Sequence, residues 1–488
     1  MTNPAKSIIR LPDGTRTRAT DALTKAMGQL QAGHLQQANN LLSVIVQALP
    51  KNADALHLFG LCRMELGDPE QAQNLIRRAI RIVPTAAMFH ANLGNILLKT
   101  GDPEGACQSL LRACELQPDL LDACINLGTA YLQLNRISKA RAAFEQALQL
   151  SPGHFLALAG LGDVSLACNA PLRALELFRE MSPQHVDAPD MQLRIGVALR
   201  KSGNEEGAIA HYRSALARYP DCTDMHHNLA LILQGRGDYD EARLHFEAVL
   251  KLVPDDATAR HMLSALSGDN SVTAPAEYVR STFDYYADTF EDHLVSTLNY
   301  RTPQCIARAI GIVGPDTVST ILDLGCGTGL MADSLKGYQR LVGIDLSPRM
   351  LERAAARKAY TELVEADVDG YLQDQPDATF DLITSADVFV YMGDLETTFI
   401  EVVRVLTLGG VFAFSVEALL NEQGDYRLQP TGRYQHHIEY IRHMARVAGL
   451  RERYLEKLSI REQQGKAVEG YVCVYSKDAK TGPDDLQV

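Results

Sequence analysis

One column of alanines constrains this 488-residue chain more than any other feature. Ala38, Ala72, Ala106, Ala140, Ala174, Ala208 and Ala242 recur in one register at an interval of 34 residues. A small residue stands twelve positions before each: Ala26, Gly60, Gly94, Gly128, Gly162, Gly196 and Ala230. A large apolar one stands four positions after: Leu42, Ile76, Leu110, Phe144, Phe178, Tyr212 and Phe246. Proline closes the unit at Pro50, Pro84, Pro118, Pro152, Pro220 and Pro254, and Val186 alone breaks that column. Such a unit is a helical hairpin. The two small positions let antiparallel helices approach, the bulky residue is expected to fill the groove against the next pair, and proline stops the second helix because it lacks an amide hydrogen. Turn formers separate the helices at Gly67-Asp68-Pro69, Gly101-Asp102-Pro103, Gly203-Asn204 and Gly237-Asp238.

The columns resemble seven tetratricopeptide repeats, beginning near residues 19, 53, 87, 121, 155, 189 and 223. That resemblance implies an all-α superhelix of close to one turn, over residues 19–263, with the first helix of each hairpin lining its concave face. Asn92, Asn126 and Asn228 share the sixth position of their repeats, where relatives that grip extended peptides often carry asparagine. An amide there both donates to and accepts from a peptide backbone, although it can equally bond between repeats. Leu58, Gly160 and Arg194 interrupt the ladder. The first repeat is degenerate, with Lys25 where leucine is usual, which suits an end cap or a docking face and is the candidate contact for a homo-oligomer. The fifth departs from the pattern at Asn169-Ala170-Pro171, and Ser182-Pro183 shortens its second helix.

Charge narrows the partners. Of a net −13, residues 271–488 hold most, with 21 Lys and Arg against 32 Asp and Glu. A half that acidic is a poor match for a phosphate backbone, so no nucleic-acid partner is expected. No apolar run reaches the length of a membrane span, and MTNPAKSIIRLPDG lacks the apolar centre of a signal peptide. The nine cysteines are scattered without a CxxC pair, as small buried hydrophobes in a reducing compartment would be. The expectation is a cytoplasmic protein with no membrane partner.

Residues 264–276, SALSGDNSVTAPA, read as a linker. Residues 277–310 concentrate aromatics, Tyr278, Phe283, Tyr285, Tyr286, Phe290 and Tyr300 among them, as a packing stripe or a lid over a pocket. From residue 311 to 478 strand and helix patterns alternate, with strands expected near 319–322, 340–343, 361–364, 382–385, 410–415, 455–460 and 471–475. Helices are expected over 329–335, 347–359, 394–405 and 437–448. Near-continuous apolar strands separated by helices indicate a mainly parallel seven-stranded sheet covered on both faces. The first strand runs into LDLGCGTG, a tight turn where a Cβ would block close approach of a ligand.

The order GxGxG directly after Asp323, with Asp345 ending the second strand and Asp367 following the third, resembles the class I S-adenosylmethionine-dependent methyltransferases over residues 278–476. The dinucleotide fingerprint is spaced differently, as GxGxxG. The resemblance implies a Rossmann-like domain in which Asp323 organises the turn and approaches the methionine amino group. Gly325, Gly327 and Gly329 would let the backbone wrap the cofactor, with Cys326 beside them. Asp345 and Leu346 would hold the ribose, Asp367 and Val368 would flank adenine, and Asp387 would line the methyl-transfer face. Helix capping is the alternative for these acids, as at Asp345-Leu346-Ser347-Pro348.

S-adenosylmethionine is already an activated donor, so alignment matters more than covalent chemistry. An amine acceptor needs deprotonation, whereas a carboxylate needs none. Candidate bases are His436 and His437, His293 and Tyr286, with Tyr285, Tyr300 and Arg433 as substrate contacts. No cluster has metal-ligand spacing. Residues 416–435, with Arg427, Arg433 and Tyr434, read as an insertion overhanging the acceptor site. The whole resembles bacterial-type methyltransferases that carry tetratricopeptide repeats ahead of the catalytic domain. A methyltransferase acting on a protein or peptide held by the repeats is the preferred reading. The alternatives are a small-molecule or natural-product methyltransferase whose repeats mediate dimerisation or docking, and a non-catalytic scaffold with a vestigial cofactor domain.

Overall fold

The computed structural model describes residues 8–10, 16–287, 290, 300–314, 318–420, 424–463 and 466–478. A short antiparallel pair, β1 (Ile8–Arg10) and β2 (Arg16–Arg18), precedes the repeats. Seven helical hairpins then follow the 34-residue columns: α1 (Ala19–Gln31) with α2 (Leu35–Ala48), α3 (Ala53–Glu65) with α4 (Pro69–Ile82), α5 (Ala87–Lys99) with α6 (Pro103–Leu116), and α7 (Leu121–Gln133) with α8 (Ile137–Leu150). The rest are α9 (Phe155–Ala167) with α10 (Pro171–Arg179), α12 (Pro189–Lys201) with α13 (Glu205–Leu216), and α14 (Thr223–Arg236) with α15 (Tyr239–Leu252). The shortened fifth hairpin carries one extra turn, α11 (Pro183–Val186), at the place where the proline column fails. Lys25 of the degenerate first repeat is exposed on α1.

All seven column alanines are completely buried. Where the small position is glycine, the bulky side chain also fills the space over it within its own hairpin. A Cβ built on Gly94 would come 2.5 Å from Leu110, on Gly162 2.1 Å from Phe178, and on Gly196 2.2 Å from Tyr212. Phe144 does both: it fills the space over Gly128 and also that over Gly160 of the next hairpin. Each hairpin turns through one left-handed residue, again every 34 positions: Gly33, Gly67, Gly101, Asn135, Asn169, Gly203 and Gly237. Only glycine and asparagine fill this column, the two residues that reach positive φ at least cost. At three of the turns the next residue caps the second helix: the Asp68 carboxylate accepts from the Gln71 amide at 3.1 Å, the Asp102 carboxylate from Gly105 at 2.8 Å and the Asn204 carbonyl from Gly207 at 3.0 Å.

The chain divides into two compact units, Met1–Cys222 and Thr223–Val488. The boundary falls one hairpin earlier than the expected linker, because α14, α15 and the helix after them, α16 (Ala257–Ser267), share a core with the C-terminal residues. Phe246, Val249, Ala259 and Met262 are buried with Tyr278, Tyr391, Leu428 and Tyr434. Residues 264–276 are therefore only partly a free linker: Ala274 is buried, and its amide donates to the Tyr391 carbonyl at 2.9 Å.

The second unit is built on a seven-stranded sheet. Its strands are β3 (Thr320–Leu324), β4 (Arg340–Asp345), β5 (Glu362–Glu365), β6 (Phe380–Ser385), β7 (Leu406–Glu417), β10 (Arg451–Gln463) and β11 (Lys466–Ser476), in the order β5-β4-β3-β6-β7-β11-β10. Strands β3 to β7 are parallel, and β11 runs antiparallel between β7 and β10. This is the Rossmann-like, mainly parallel sheet expected. Both faces are covered, so β3, β4 and β6 bury consecutive residues rather than alternate ones. The strand order reverses between β3 and β6, which opens a crevice beyond their carboxyl ends. The helix expected over 329–335 is only a 3-10 turn, Ala332–Ser334. Gly329 at φ 89° and Gly337 at φ 77° bracket it in left-handed backbone, leaving too few residues for an α-helix. The insertion after β7 contains a small hairpin, β8 (Tyr426–Leu428) with β9 (Tyr434–His436). No helix among the described residues is long and apolar enough to cross a membrane.

Candidate active site

A cavity of about 410 Å³ fills the crevice beyond β3 and β6. Its floor is the turn after β3. Gly325, at φ 62°, lies so close to the loop after β6 that a Cβ would fall 2.3 Å from Val388. Gly327, at φ 54°, presents its missing Cβ to open space, with Phe290 the nearest atom at 3.9 Å. A side chain at Gly325 would clash, and one at Gly327 would occupy the cavity. Cys326 lines the cavity, and its amide ties the turn to β4 by donating to the Ile344 carbonyl at 2.8 Å. Gly329 is not in the wall; it is packed under Arg357 and Tyr360.

Two carboxylates frame this floor. Asp323 is buried, its Oδ2 accepting from the Tyr360 hydroxyl at 2.7 Å and its Oδ1 from Thr384 at 2.8 Å. Burial pushes its pKa up to about 6 despite these two donors. Asp345, at the end of β4, accepts from the Gly327 amide at 2.9 Å and the Ser347 amide at 2.8 Å. Burial also raises its pKa, opposed by the two amides. A carboxylate has about four lone-pair sites, so roughly two remain for a ligand. Leu346, Asp367 and Val368 continue the wall along the β4 and β5 side. Asp367 also caps the helix Val368–Asp374, accepting from the Gly370 amide at 2.8 Å, so it combines the capping and lining roles that the sequence left as alternatives. Thr328 adds a buried hydroxyl with no partner at the same wall.

The other half of the cavity, over β6, β7 and β10, has different chemistry. Asp387 follows β6 in left-handed backbone, φ 59°, and both its amide and its Oδ1 engage the Ser415 hydroxyl at 2.9 Å. Burial raises its carboxyl, opposed by Arg461. Arg461 comes from β10, where a register shift between Ser459 and Arg461 turns it inward. It is 3 % exposed, bonded to Glu417 through Nη2, while Nη1 lies 3.8 Å from Asp387 and makes no hydrogen bond. Arg433, from the loop between β8 and β9, stands over the Tyr391 ring at 5.8 Å with Nη1 3.6 Å from Glu417. Tyr300 lines the same region, and burial holds its phenol well above its ordinary range, so it stays protonated.

Three of the four expected bases, His436, His437 and Tyr286, lie outside the cavity wall. His436 is completely buried outside the cavity wall, its Nε2 3.0 Å from the Gly393 carbonyl, and burial pushes it down to about 4. His437 caps the helix Ile438–Ala448, its Nδ1 accepting from the Glu439 amide at 3.3 Å. Tyr286 ends α17 (Ala276–Tyr286), 44 % exposed and away from the cavity. His293 and the side chain of Tyr285 lie outside the described residues. The aromatic stripe divides: Tyr278 is packed against His261, whereas Phe283 and Phe290 line the cavity. In the repeats, the Asn92 amide nitrogen is 2.8 Å from His57 Nε2 of the preceding hairpin, and Asn228 donates to the Asp224 carbonyl of its own helix at 2.9 Å. Asn126 is half-buried on α7. Arg461 and Glu417 were missed from the sequence.

The methyltransferase-domain family model matches residues 322–414, which span β3 to β7. Tetratricopeptide-repeat models match residues 29–96 and 199–266, 89–120, 121–154 and 173–222. Among curated proteins, the human methyltransferase-like protein 27 is 37% identical over 107 residues, 21% of this chain and 42% of that one. The malonyl-[acyl-carrier protein] O-methyltransferase of Serratia marcescens is 33% identical over 128 residues, 26% of this chain and 49% of that one. The trans-aconitate 2-methyltransferase of Enterobacter sp. (strain 638) is 33% identical over 119 residues, 24% and 46%. The chain spans less than half the length of these relatives.

Proposed function

We propose, from the premise that this chain joins tetratricopeptide repeats to a methyltransferase domain, that it transfers a methyl group from S-adenosylmethionine to an acceptor carried by a protein or peptide that the repeats hold. The observation that carries the donor half is Asp345: a half-buried carboxylate in the cavity wall whose two backbone partners leave about two acceptor sites, the number that the two hydroxyls of a ribose require. Gly327 leaves a cradle that any Cβ would fill, and the unpartnered Thr328 hydroxyl supplies a polar contact nearby. When bound, the donor supplies an activated methyl group; the chain supplies position and a closed, mostly apolar environment. Asp345 would hold the sugar, Leu346 and Val368 would sandwich the base edge, and the Gly325–Gly327 backbone would face the amino-acid end.

The acceptor half rests on composition of the chain. Tetratricopeptide repeats are protein-binding modules, and one relative is named for an acceptor attached to a carrier protein. Because the amides of Asn92 and Asn228 are engaged within the array, a grip on the partner through side chains other than this ladder is the better reading. Full-length protein incubated with methyl-labelled S-adenosylmethionine and a cell extract should place label in the macromolecular fraction. Label confined to molecules below about 1 kDa would overturn the protein-borne acceptor, and no binding of the donor in calorimetry would overturn the methyltransferase reading itself.

A further inference from the structure

The two ends of the cavity are chemically unlike, and the difference identifies the accepting group. Along the β4 and β5 side the charged groups in the wall are all acidic: Asp345, Asp367 and Asp369. Over β6, β7 and β10 stand the only two cations of the described wall, Arg433 and Arg461. If the donor occupies the acidic side, as proposed above, the arginines face the acceptor.

A buried guanidinium is costly unless paired; Arg461 is buried, Arg433 beside it is half-buried, and their pairing is incomplete. Glu417 is shared between them, with Arg461 bonded to it and Arg433 at 3.6 Å. Asp387 lies at ion-pair distance from Arg461 Nη1, 3.8 Å, beyond the reach of a hydrogen bond, and that nitrogen has no other partner. A β-bulge is spent on turning this arginine inward beside Ile460, which is itself buried. Arg461 thus brings one guanidinium nitrogen without a hydrogen-bond partner to a cavity wall, and an anionic oxygen is the acceptor that such a charged donor favours.

The carboxylate among the described lining residues on this half is Asp387, held beside Arg461 and bonded to the Ser415 hydroxyl. Among the described lining residues there is no histidine and no lysine, and the Tyr300 phenol is held protonated by burial. An amine acceptor arrives charged and must lose a proton to a base before it can attack. A carboxylate needs no such help.

We propose that the accepting group is a carboxylate held by Arg461 and Arg433, and that the product is a methyl ester. One carboxylate oxygen is held at the arginines while the other faces the donor. An electron pair on that free oxygen forms the O–CH3 bond as the C–S bond breaks and its pair passes to sulfur. The anion and the sulfonium cation become a neutral ester and a neutral thioether, so charge balances and no proton moves. Loss of the negative charge also removes what the arginines hold, which favours release of the product. This inference rests on the S-adenosylmethionine reading of the same cavity.

The test uses the full-length chain, methyl-labelled S-adenosylmethionine and a fractionated extract, with two readouts. Methyl esters are cleaved by mild alkali and release labelled methanol, whereas N-, S- and C-methyl groups survive. The expected result is alkali-released methanol from the labelled fraction. In parallel, Arg461→Gln should lower ester formation by about 30-fold or more, the usual effect of removing one partner of a buried charged pair, and Arg433→Gln, at a half-buried side chain, should lower it by less. Both should leave S-adenosylmethionine affinity in calorimetry within about 3-fold, because the arginines stand on the other half of the sheet. Arg461→Lys keeps the charge without the fork and should recover only part of the loss. Alkali-stable label, label in no fraction despite donor binding, or unaltered transfer by both glutamine variants overturns the carboxylate assignment. Failure of the unaltered protein to bind the donor overturns instead the reading beneath it.

Discussion

Replacing Asp345 with asparagine changes one oxygen for an amide and tests the donor site at little steric cost. In the native protein the two oxygens accept from the Gly327 and Ser347 amides, at 2.9 and 2.8 Å. Asparagine offers one oxygen with two lone pairs and an amide group that only donates. One backbone N–H then faces another donor, which costs about 1–3 kcal/mol of stability. For a bound ribose, one hydroxyl contact is lost and the other falls from charge-assisted to neutral, a combined loss of about 2–4 kcal/mol. That corresponds to roughly 30- to 1000-fold weaker binding of S-adenosylmethionine. Calorimetric titration measures the affinity, and thermal unfolding without ligand measures the stability term separately. A variant with lowered melting temperature but affinity within about 3-fold of the native protein would refute the reasoning, since it would make Asp345 purely a clasp for the glycine turn.

Asp323 makes a prediction in pH. Its carboxyl rises from an ordinary 3.8 to about 6 in the fold, so the native state binds its proton more tightly than the unfolded state. Its stabilising effect is complete below pH 3.8 and is lost as pH rises to about 6, a descent of about 3 kcal/mol that Asp323→Asn should flatten in denaturant titrations at pH 4.5 and 7. An unchanged profile would place the titrating group elsewhere. In the repeats, Gly196→Ala puts a Cβ 2.2 Å from the buried Tyr212 ring and should destabilise by about 1–3 kcal/mol, whereas Gly28→Ala, with nothing within 4 Å, should gain about 0.5–1 kcal/mol from helix propensity. Equal shifts in melting temperature would contradict the close packing of the hairpins. A fragment beginning at Thr223 should fold and bind S-adenosylmethionine, while one beginning at Leu263 loses Met262 and His261 and should not; calorimetry on both decides it.

Regular packing was legible and local inversions were not. The hairpins start where the columns place them because a single alanine period fixes the spacing of two helices. The glycine turn, the three acids near it and the parallel sheet were legible for the same kind of reason: each is a short-range pattern whose geometry follows from residue type. Arg461 was not, because strict alternation along β10 puts it opposite the buried Ile460; a bulge reverses that, and no residue type in LSIRE announces a bulge. His436 misled in the opposite way. A histidine pair beside a helix start reads as a candidate base, yet β9 folds back into the core and His436 is completely buried. The domain boundary was hidden because α14 and α15 keep the repeat pattern on their shared faces while using others against Tyr278 and Tyr434.

The contact between α16 and the arginine loop has an architectural outcome. His261 Nε2 meets the Gly432 carbonyl at 2.9 Å, one residue before Arg433, and Gln234 of α14 bonds the Pro430 carbonyl. The seventh hairpin thus supports, through Gln234, the loop that carries the cavity-lining Arg433, while still following the repeat pattern. Replacing hairpins one to six by a graft at Cys222 is expected to leave both of these supports of the Arg433 loop in place. A graft one hairpin later would remove Gln234 and its bond to that loop.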